Sequence, residues 1–203
     1  TARTKGSEFI DSSYHVDEFR SIELGMKGAH QYENASTAVG AIRAAGLDIP
    51  AKTIKEGLEC AVNPGRFEVL GGNPYWVLDG AHNPGAVETL IKSYNAWVKT
   101  NKVKRTRVIF GCMKDKNYIR MLQLLINGLR GCSWSTVDID DDRAEDAMVL
   151  GQIVANNGRP CDTYETILEA YEAARDGNYE SVLVIGSLYL VGAIRKYCLL
   201  ERK

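Results

Sequence analysis

The residues best suited to chemistry cluster between Pro64 and Pro84, in the segment PGRFEVLGGNPYWVLDGAHNP. Arg66 stands in a Pro-Gly turn, where its planar guanidinium fork suits a phosphate or a carboxylate. A short apolar run, Tyr75 to Leu78, ends on Asp79, and Gly80, Ala81, His82, Asn83 and Pro84 follow. An acid at a strand tip can accept hydrogen bonds from a ribose hydroxyl, or it can simply close an Asx turn before glycine. His82 can face a ligand or be a satisfied loop histidine. Asn83 is a good N-cap and Pro84 a good first helical residue. Two more strand ends run into turns: Val108-Ile109-Phe110 into GCMKDK, which carries Lys116, and Val184-Ile185 into Gly186-Ser187. In a parallel sheet such loops share one edge, and each following helix aims free N–H groups and a partial positive charge at it. The natural guest is a carboxylate or a phosphate. Asn83 and Ser187 can serve as caps alone or as caps that also meet that guest.

One pattern misleads. Gly80 to Gly85 reads GxxxxG between a strand and a helix, but Ala86 and Val87 follow where a P-loop needs Lys and Ser/Thr. The sequence contains no GxxxxGK[ST] and no GxGxxG.

Positioning these residues calls for alternating strands and helices. The pattern predicts a strand near Phe19 to Leu24 and helices near Glu33 to Ala45 and Ala51 to Cys60, then a break at Asn63-Pro64-Gly65 taken as a domain boundary. Beyond it, strands are predicted at Phe67 to Leu70, Tyr75 to Leu78, Arg107 to Phe110, Ser133 to Ile139 and Ser181 to Ile185, with a short one around Pro160 to Thr163. Helices fit Pro84 to Lys99, Asn117 to Leu129, Arg143 to Asn156, Tyr164 to Asp176 and Leu188 to Leu200. This order implies an α/β fold: a mostly parallel, Rossmann-like sheet with helices on both faces, preceded by a strand and two helices. Val182 to Ile185, apolar throughout, fits a strand covered on both sides. The polar opening, Thr1 to Tyr14, shows no periodicity and reads as a frayed terminus or the tail of something longer.

The bulk numbers narrow the function. A chain of 203 residues, 45% hydrophobic and 25% charged, is ordinary for one or two globular domains. A net charge of -1 gives no electrostatic case for nucleic acid or an anionic membrane. The apolar runs are far too short to span a bilayer, and no secretory signal opens the chain. Five cysteines, an odd number with no CxxC, favour reduced thiols in a cytoplasmic protein over a disulfide framework. The three histidines, His15, His30 and His82, form no zinc-spaced cluster with them, so no metal site is expected.

The PGRFE and DGAHNP stretches closely resemble the signature of the folylpolyglutamate synthase and dihydrofolate synthase family, within the Mur ligase superfamily. The segment Gly28 to Ala35, with His30, Gln31 and Asn34, is similar to the family's G-x-H-Q-x-x-N-A helix start, late in a central ATPase domain. GCMKDK and Ile185-Gly-Ser187-Leu resemble two later family loops. The tryptophan expected before PGRFE is replaced by Asn63. The resemblance implies ATP-dependent amide formation between L-glutamate and a folate or dihydropteroate, by way of an acyl phosphate. Asn34 would contact adenine, Arg66 the phosphates and Asp79 the ribose, with His82 and Ser187 on the glutamate side and His30, Asn83 and Lys116 in support. It implies ATP and Mg²⁺, with the Mg²⁺ ligands and the P-loop in an N-terminal part of the same polypeptide, which would be this chain's partner. Residues 1–63 would be a remnant of the central ATP-binding domain, and 64–203 the C-terminal glutamate-binding domain. Such a monomeric fragment is expected not to catalyse ligation alone. Two alternatives stay open: a Mur-type or cyanophycin-type amino-acid ligase, and a non-catalytic α/β binding module. Gln31 and Gly80 favour the folate branch.

Overall fold

The computed structural model describes residues 11, 16–28 and 30–201. They form two compact units, Thr1–Asn63 and Pro64–Lys203. The opening segment discussed above lies outside the described residues, apart from Asp11.

In the first unit, α1 (Val16–Phe19), α2 (Gln31–Ala44) and α3 (Ala51–Cys60) gather around Phe19, Leu24, Ala35 and Val39, with Ile54 and Leu58 of α3 packed against them. The strand expected at Phe19 to Leu24 does not form. Its backbone donors bond locally instead, Arg20 N–H to the Asp17 carbonyl (3.4 Å) and Ile22 N–H to that of Phe19 (2.9 Å). A strand needs a neighbour for these groups, and none of the described residues in this unit forms one.

The second unit is a six-stranded sheet in the order β1-β2-β6-β3-β4-β5. Its strands are β1 (Glu68–Leu70), β2 (Tyr75–Asp79), β3 (Thr106–Phe110), β4 (Cys132–Val137), β5 (Cys161–Tyr164) and β6 (Ser181–Ile185). Only the edge pair β1–β2 is antiparallel. The connecting helices are α4 (Pro84–Asn101), α5 (Tyr118–Gly128), α6 (Ala147–Asn156), α7 (Ile167–Asp176) and α8 (Leu188–Leu200). α4, α5 and α6 cover one face through Leu90, Leu122, Leu125 and Leu150, while α7 and α8 cover the other through Tyr171, Leu190 and Ile194. Every residue of β3 and β6 is buried, as expected for strands covered on both sides. α7 carries the chain back so that β6 enters between β2 and β3. This reversal of strand order is where open α/β sheets bind ligands. The register places Asp79, Ile185 and Phe110 side by side at the carboxyl edge.

Two helices start later than the periodicity suggests. α6 begins at Ala147 because Asp146 caps it, accepting from Met148 N–H (2.7 Å), while Ala144 is held in an antiparallel bridge with Met113. α7 begins at Ile167 because Tyr164 still belongs to β5 and Thr166 forms a capping box with Glu169.

Beneath the sheet, Tyr94 of α4 ties two strands together. Its hydroxyl lies 2.9 Å from Thr106 Oγ1 and 2.6 Å from Ser181 Oγ, which are 3.0 Å from each other. Tyr94→Phe is expected to cost only about 1 kcal/mol in a urea titration, because the two remaining hydroxyls keep one another as partners. A loss of roughly 3 kcal/mol or more would show that the phenol is needed to satisfy both.

Candidate functional site

Four loops at the carboxyl edge enclose a cleft of about 610 Å³. The loop after β2 contributes His82, that after β3 Lys114, Asp115 and Lys116, that after β4 Asp142 and Arg143, and that after β6 Gly186 to Tyr189. The structure therefore brings together His82, Lys116 and Ser187. Arg66, Asp79 and Asn83 do not line the cleft, and His30 and Asn34 belong to the first unit.

His82 is set by its own loop. Its Nδ1 lies 2.8 Å from the Gly80 carbonyl, and a carbonyl only accepts, so Nδ1 carries the proton. In the neutral tautomer this leaves Nε2 as an acceptor. Asn83 caps α4, accepting from Ala86 N–H at 2.9 Å. Ser187 caps α8, its Oγ accepting from Tyr189 N–H at 3.2 Å, and its own hydroxyl proton remains to donate.

The loops after β3 and β4 are zipped together. Lys114 N–H donates to the Arg143 carbonyl (2.8 Å), Glu145 N–H to that of Cys112 (2.9 Å), and Lys114 Nζ to that of Asp142 (3.2 Å). Lys116 Nζ lies 2.8 Å from Asp115 Oδ2, and this pair holds the Asp115 carboxyl below its ordinary range. Arg143 grips both oxygens of Asp141 (2.9 and 2.7 Å), which lowers that carboxyl to about 2. Three fixed cations, Lys114, Lys116 and Arg143, thus face two cleft carboxylates, Asp115 and Asp142. The N-terminus of α8 adds partial positive charge. The cleft offers both cationic and acidic groups to a ligand.

Beside the cleft lies the turn that carries Arg66. Asp79, 8% exposed, accepts from Phe67 N–H through Oδ2 (2.9 Å) and from Ala81 N–H through Oδ1 (2.8 Å). It clamps two turns to the tip of β2. Gly80 N–H donates to the Gly65 carbonyl (2.8 Å). A Cβ on Gly80 would fall 2.3 Å from Leu188 Cδ2 and one on Gly65 2.8 Å from Val191 Cγ1, so both turns close against α8. Arg66 itself is half-buried and makes no hydrogen bond or ion pair with another described residue.

In the first unit, Gln31 Nε2 donates to His30 Nε2 and Asn34 Nδ2 to Gln31 Oε1, both at 2.9 Å. His30 Nδ1 is consequently the protonated nitrogen, and it is buried without a partner among the described residues. Asn34 is exposed and keeps its own amide oxygen available.

Lys114 and Arg143 were not singled out from sequence. Lys114 lies in the same GCMKDK turn as Lys116. The pattern places Arg143 at a helix start, whereas the acidic run Asp140 to Asp142 and the capping Asp146 signal a loop there.

Comparison with known proteins agrees with this architecture. The family described as "Mur ligase, glutamate ligase domain" matches residues 65–188. The chain is 35% identical over 185 residues to a probable bifunctional folylpolyglutamate synthase/dihydropteroate synthase of Haloferax volcanii, covering 88% of this chain and 21% of that protein. It is 30% identical over 161 residues to a UDP-N-acetylmuramoyl-L-alanyl-D-glutamate–2,6-diaminopimelate ligase of Clostridium perfringens, covering 75% of this chain and 31% of that one. Among solved structures, Escherichia coli FolC in complex with ADP superposes with a TM-score of 0.76 at 28% identity, over 90% of this chain and 42% of that one. The chain thus spans well under half the length of each of these relatives. With the matched region reaching from the Arg66 turn to the start of α8, the chain belongs to the Mur ligase family, as a glutamate ligase domain.

Proposed function

We propose that this chain is the amino-acid-binding, carboxyl-terminal part of an ATP-dependent ligase that joins L-glutamate to a folate or to dihydropteroate, with residues 1–63 the end of a central ATP-binding domain. The observation that carries the reading is the cleft in which His82, Lys116 and Ser187 meet, with Lys114 and Arg143 adding cationic charge. In the reaction, ATP phosphorylates the acceptor carboxylate, the glutamate amine attacks the acyl carbon, and phosphate leaves. Lys114, Lys116 and Arg143 hold the carboxylates of L-glutamate, which the N–H groups at the start of α8 also favour. His82 Nε2 accepts a hydrogen bond from the glutamate amine, orienting it for attack. Arg66, whose guanidinium has no competing partner among the described residues, binds the nucleotide phosphates and stabilises charge developing on their oxygens. Asp79 is assigned to the ribose, and Asn34, through its exposed amide, to the adenine. Closure of this unit onto the ATP-binding domain would exclude water from the acyl phosphate. No group of three acidic, His or Cys side chains among the described residues could hold a metal ion. Mg²⁺ is implied by ATP, and no step is assigned to it here. The working form is taken as a cytoplasmic monomer. No helix among the described residues is long and apolar enough to cross a membrane.

A second reading, a muramyl-peptide ligase, is favoured by the similarity to the Clostridium enzyme and would use the same cleft for a different amino acid. Titrating the chain with L-glutamate, followed by amide and imidazole NMR, tests the cleft. Saturable shifts confined to the loops bearing His82, Lys116, Arg143 and Ser187 are expected, and Lys116→Ala should weaken binding about tenfold. Shifts elsewhere, or none, would remove the reading.

A further inference from the structure

Arg66 is flanked by two acids of its own unit, Glu68 and Asp79, and pairs with neither. Asp79 is engaged by the N–H groups of Phe67 and Ala81. Glu68 is engaged twice over: Oε2 accepts from Gly65 N–H at 2.9 Å, and both carboxylate oxygens lie 2.9 Å from Arg195 Nε of α8. The pair is well shielded, with Glu68 16% and Arg195 33% exposed at the side chain. The backbone on either side of Arg66 is in the left-handed region, with φ +73° at Gly65 and +44° at Phe67. A buried phenylalanine takes up that conformation only when its surroundings force it. Here the forcing groups are the Asp79 carboxylate on the Phe67 N–H and the Glu68 carboxylate on the Gly65 N–H.

We propose that Glu68 and Arg195 are positioning residues for Arg66: Arg195 holds the Glu68 carboxylate on the Gly65 N–H and keeps it from neutralising the arginine two positions earlier. Without Arg195, Glu68 becomes an unpaired, partly buried anion within reach of a long guanidinium side chain. The two would pair, the turn would lose its anchor, and Arg66 would no longer be available to a phosphate. The proposal takes from the functional reading above the idea that Arg66 meets phosphate. It adds that α8 carries the Ser187 cap at its start and the Arg66 anchor in its third turn, so one helix fixes both the amino-acid side and the phosphate side of the unit.

The test uses the whole chain, with the Arg66 Nε–Hε resonance followed by NMR during titration with tripolyphosphate at constant ionic strength. The proposal expects Arg195→Met to weaken tripolyphosphate binding about tenfold, and Glu68→Gln/Arg195→Met to recover to within roughly threefold of the unsubstituted chain, because the competing anion is gone. Arg195→Lys, which keeps the cation, should stay within about threefold as well. A purely structural role predicts the opposite: the double variant would be as weak as Arg195→Met, and affinity would follow melting temperature. That result, or unchanged affinity in Arg195→Met, overturns the proposal. Hydrogen exchange at the Gly65 amide separates this failure from failure of the phosphate reading. If tripolyphosphate never moves Arg66, the phosphate role is wrong. Faster exchange at Gly65 in Arg195→Met would still establish the anchor, and unchanged exchange would remove it. Should Arg195→Met not fold, Arg195→Gln replaces it: faster exchange at Gly65 with weaker tripolyphosphate binding, restored by adding Glu68→Gln, supports the proposal, and unchanged exchange and binding overturn it.

Discussion

Gly186→Ala is expected to destabilise the second unit by about 3 kcal/mol or more, lowering its melting temperature by roughly 10 °C. Gly186 follows β6 with φ +113°, and a Cβ there would lie 2.5 Å from the Gly111 carbonyl oxygen and 3.0 Å from Phe110 Cε2. Both obstacles are fixed. One is backbone, and the other is a core ring at the end of an adjacent strand. The loops after β3 and β6 therefore approach backbone to backbone at the edge of the cleft. Gly192→Ala, in the exposed face of α8 with nothing within 4 Å of its Cβ, is the control and should be neutral or stabilising by about 0.5–1 kcal/mol. Chemical denaturation followed by tryptophan fluorescence compares them. If both variants unfold together, the close approach is not what holds the loops.

Arg66→Ala should produce the largest functional loss. In the ligase proposed above, kcat/KM is expected to fall about 10²–10³-fold, the cost of removing one donor aimed at developing oxygen charge. Stability should change little, because the guanidinium makes no bond to another described residue. Arg66→Lys keeps the charge without the fork and should lie between. A variant that loses stability and activity together would mark Arg66 as a structural residue. One that loses neither would remove it from the site.

The fold was legible wherever chemistry and local structure coincide. The run Ser181 to Ile185 reads as a doubly covered strand because nothing polar interrupts it, and β6 is buried throughout. Asn83 and Ser187 read as caps because capping is a short-range preference, and both accept the expected N–H groups. What failed was decided at longer range. Phe19 to Leu24 has strand-like residues but no neighbouring strand among the described residues, so its donors turn back on themselves. Residues 143–146 have helical composition but are held in the bridge between the β3 and β4 loops. In the site, His82, Lys116 and Ser187 could be named from motif and strand end. The Glu68–Arg195 pair could not, since 127 positions separate its members and nothing around Arg195 marks it as the partner of the PGRFE acid. By sequence Asp79 suits a ribose acceptor or a turn-former, and its two backbone bonds show the turn-forming part.

On the function proposed above, the cleft presents L-glutamate to an acyl phosphate formed on a pteridine acceptor. The most direct measurement is L-glutamate-dependent phosphate release from ATP by the full-length product of the gene encoding this chain. Dihydropteroate, tetrahydrofolate and a UDP-muramyl peptide would be offered side by side. Release with a pteridine acceptor alone, lowered by Ser187→Ala or His82→Ala though less than by Arg66→Ala, is the predicted result. Release with the muramyl acceptor alone would keep the cleft and its chemistry but replace the substrate, and release with none would contradict the assignment of a ligase.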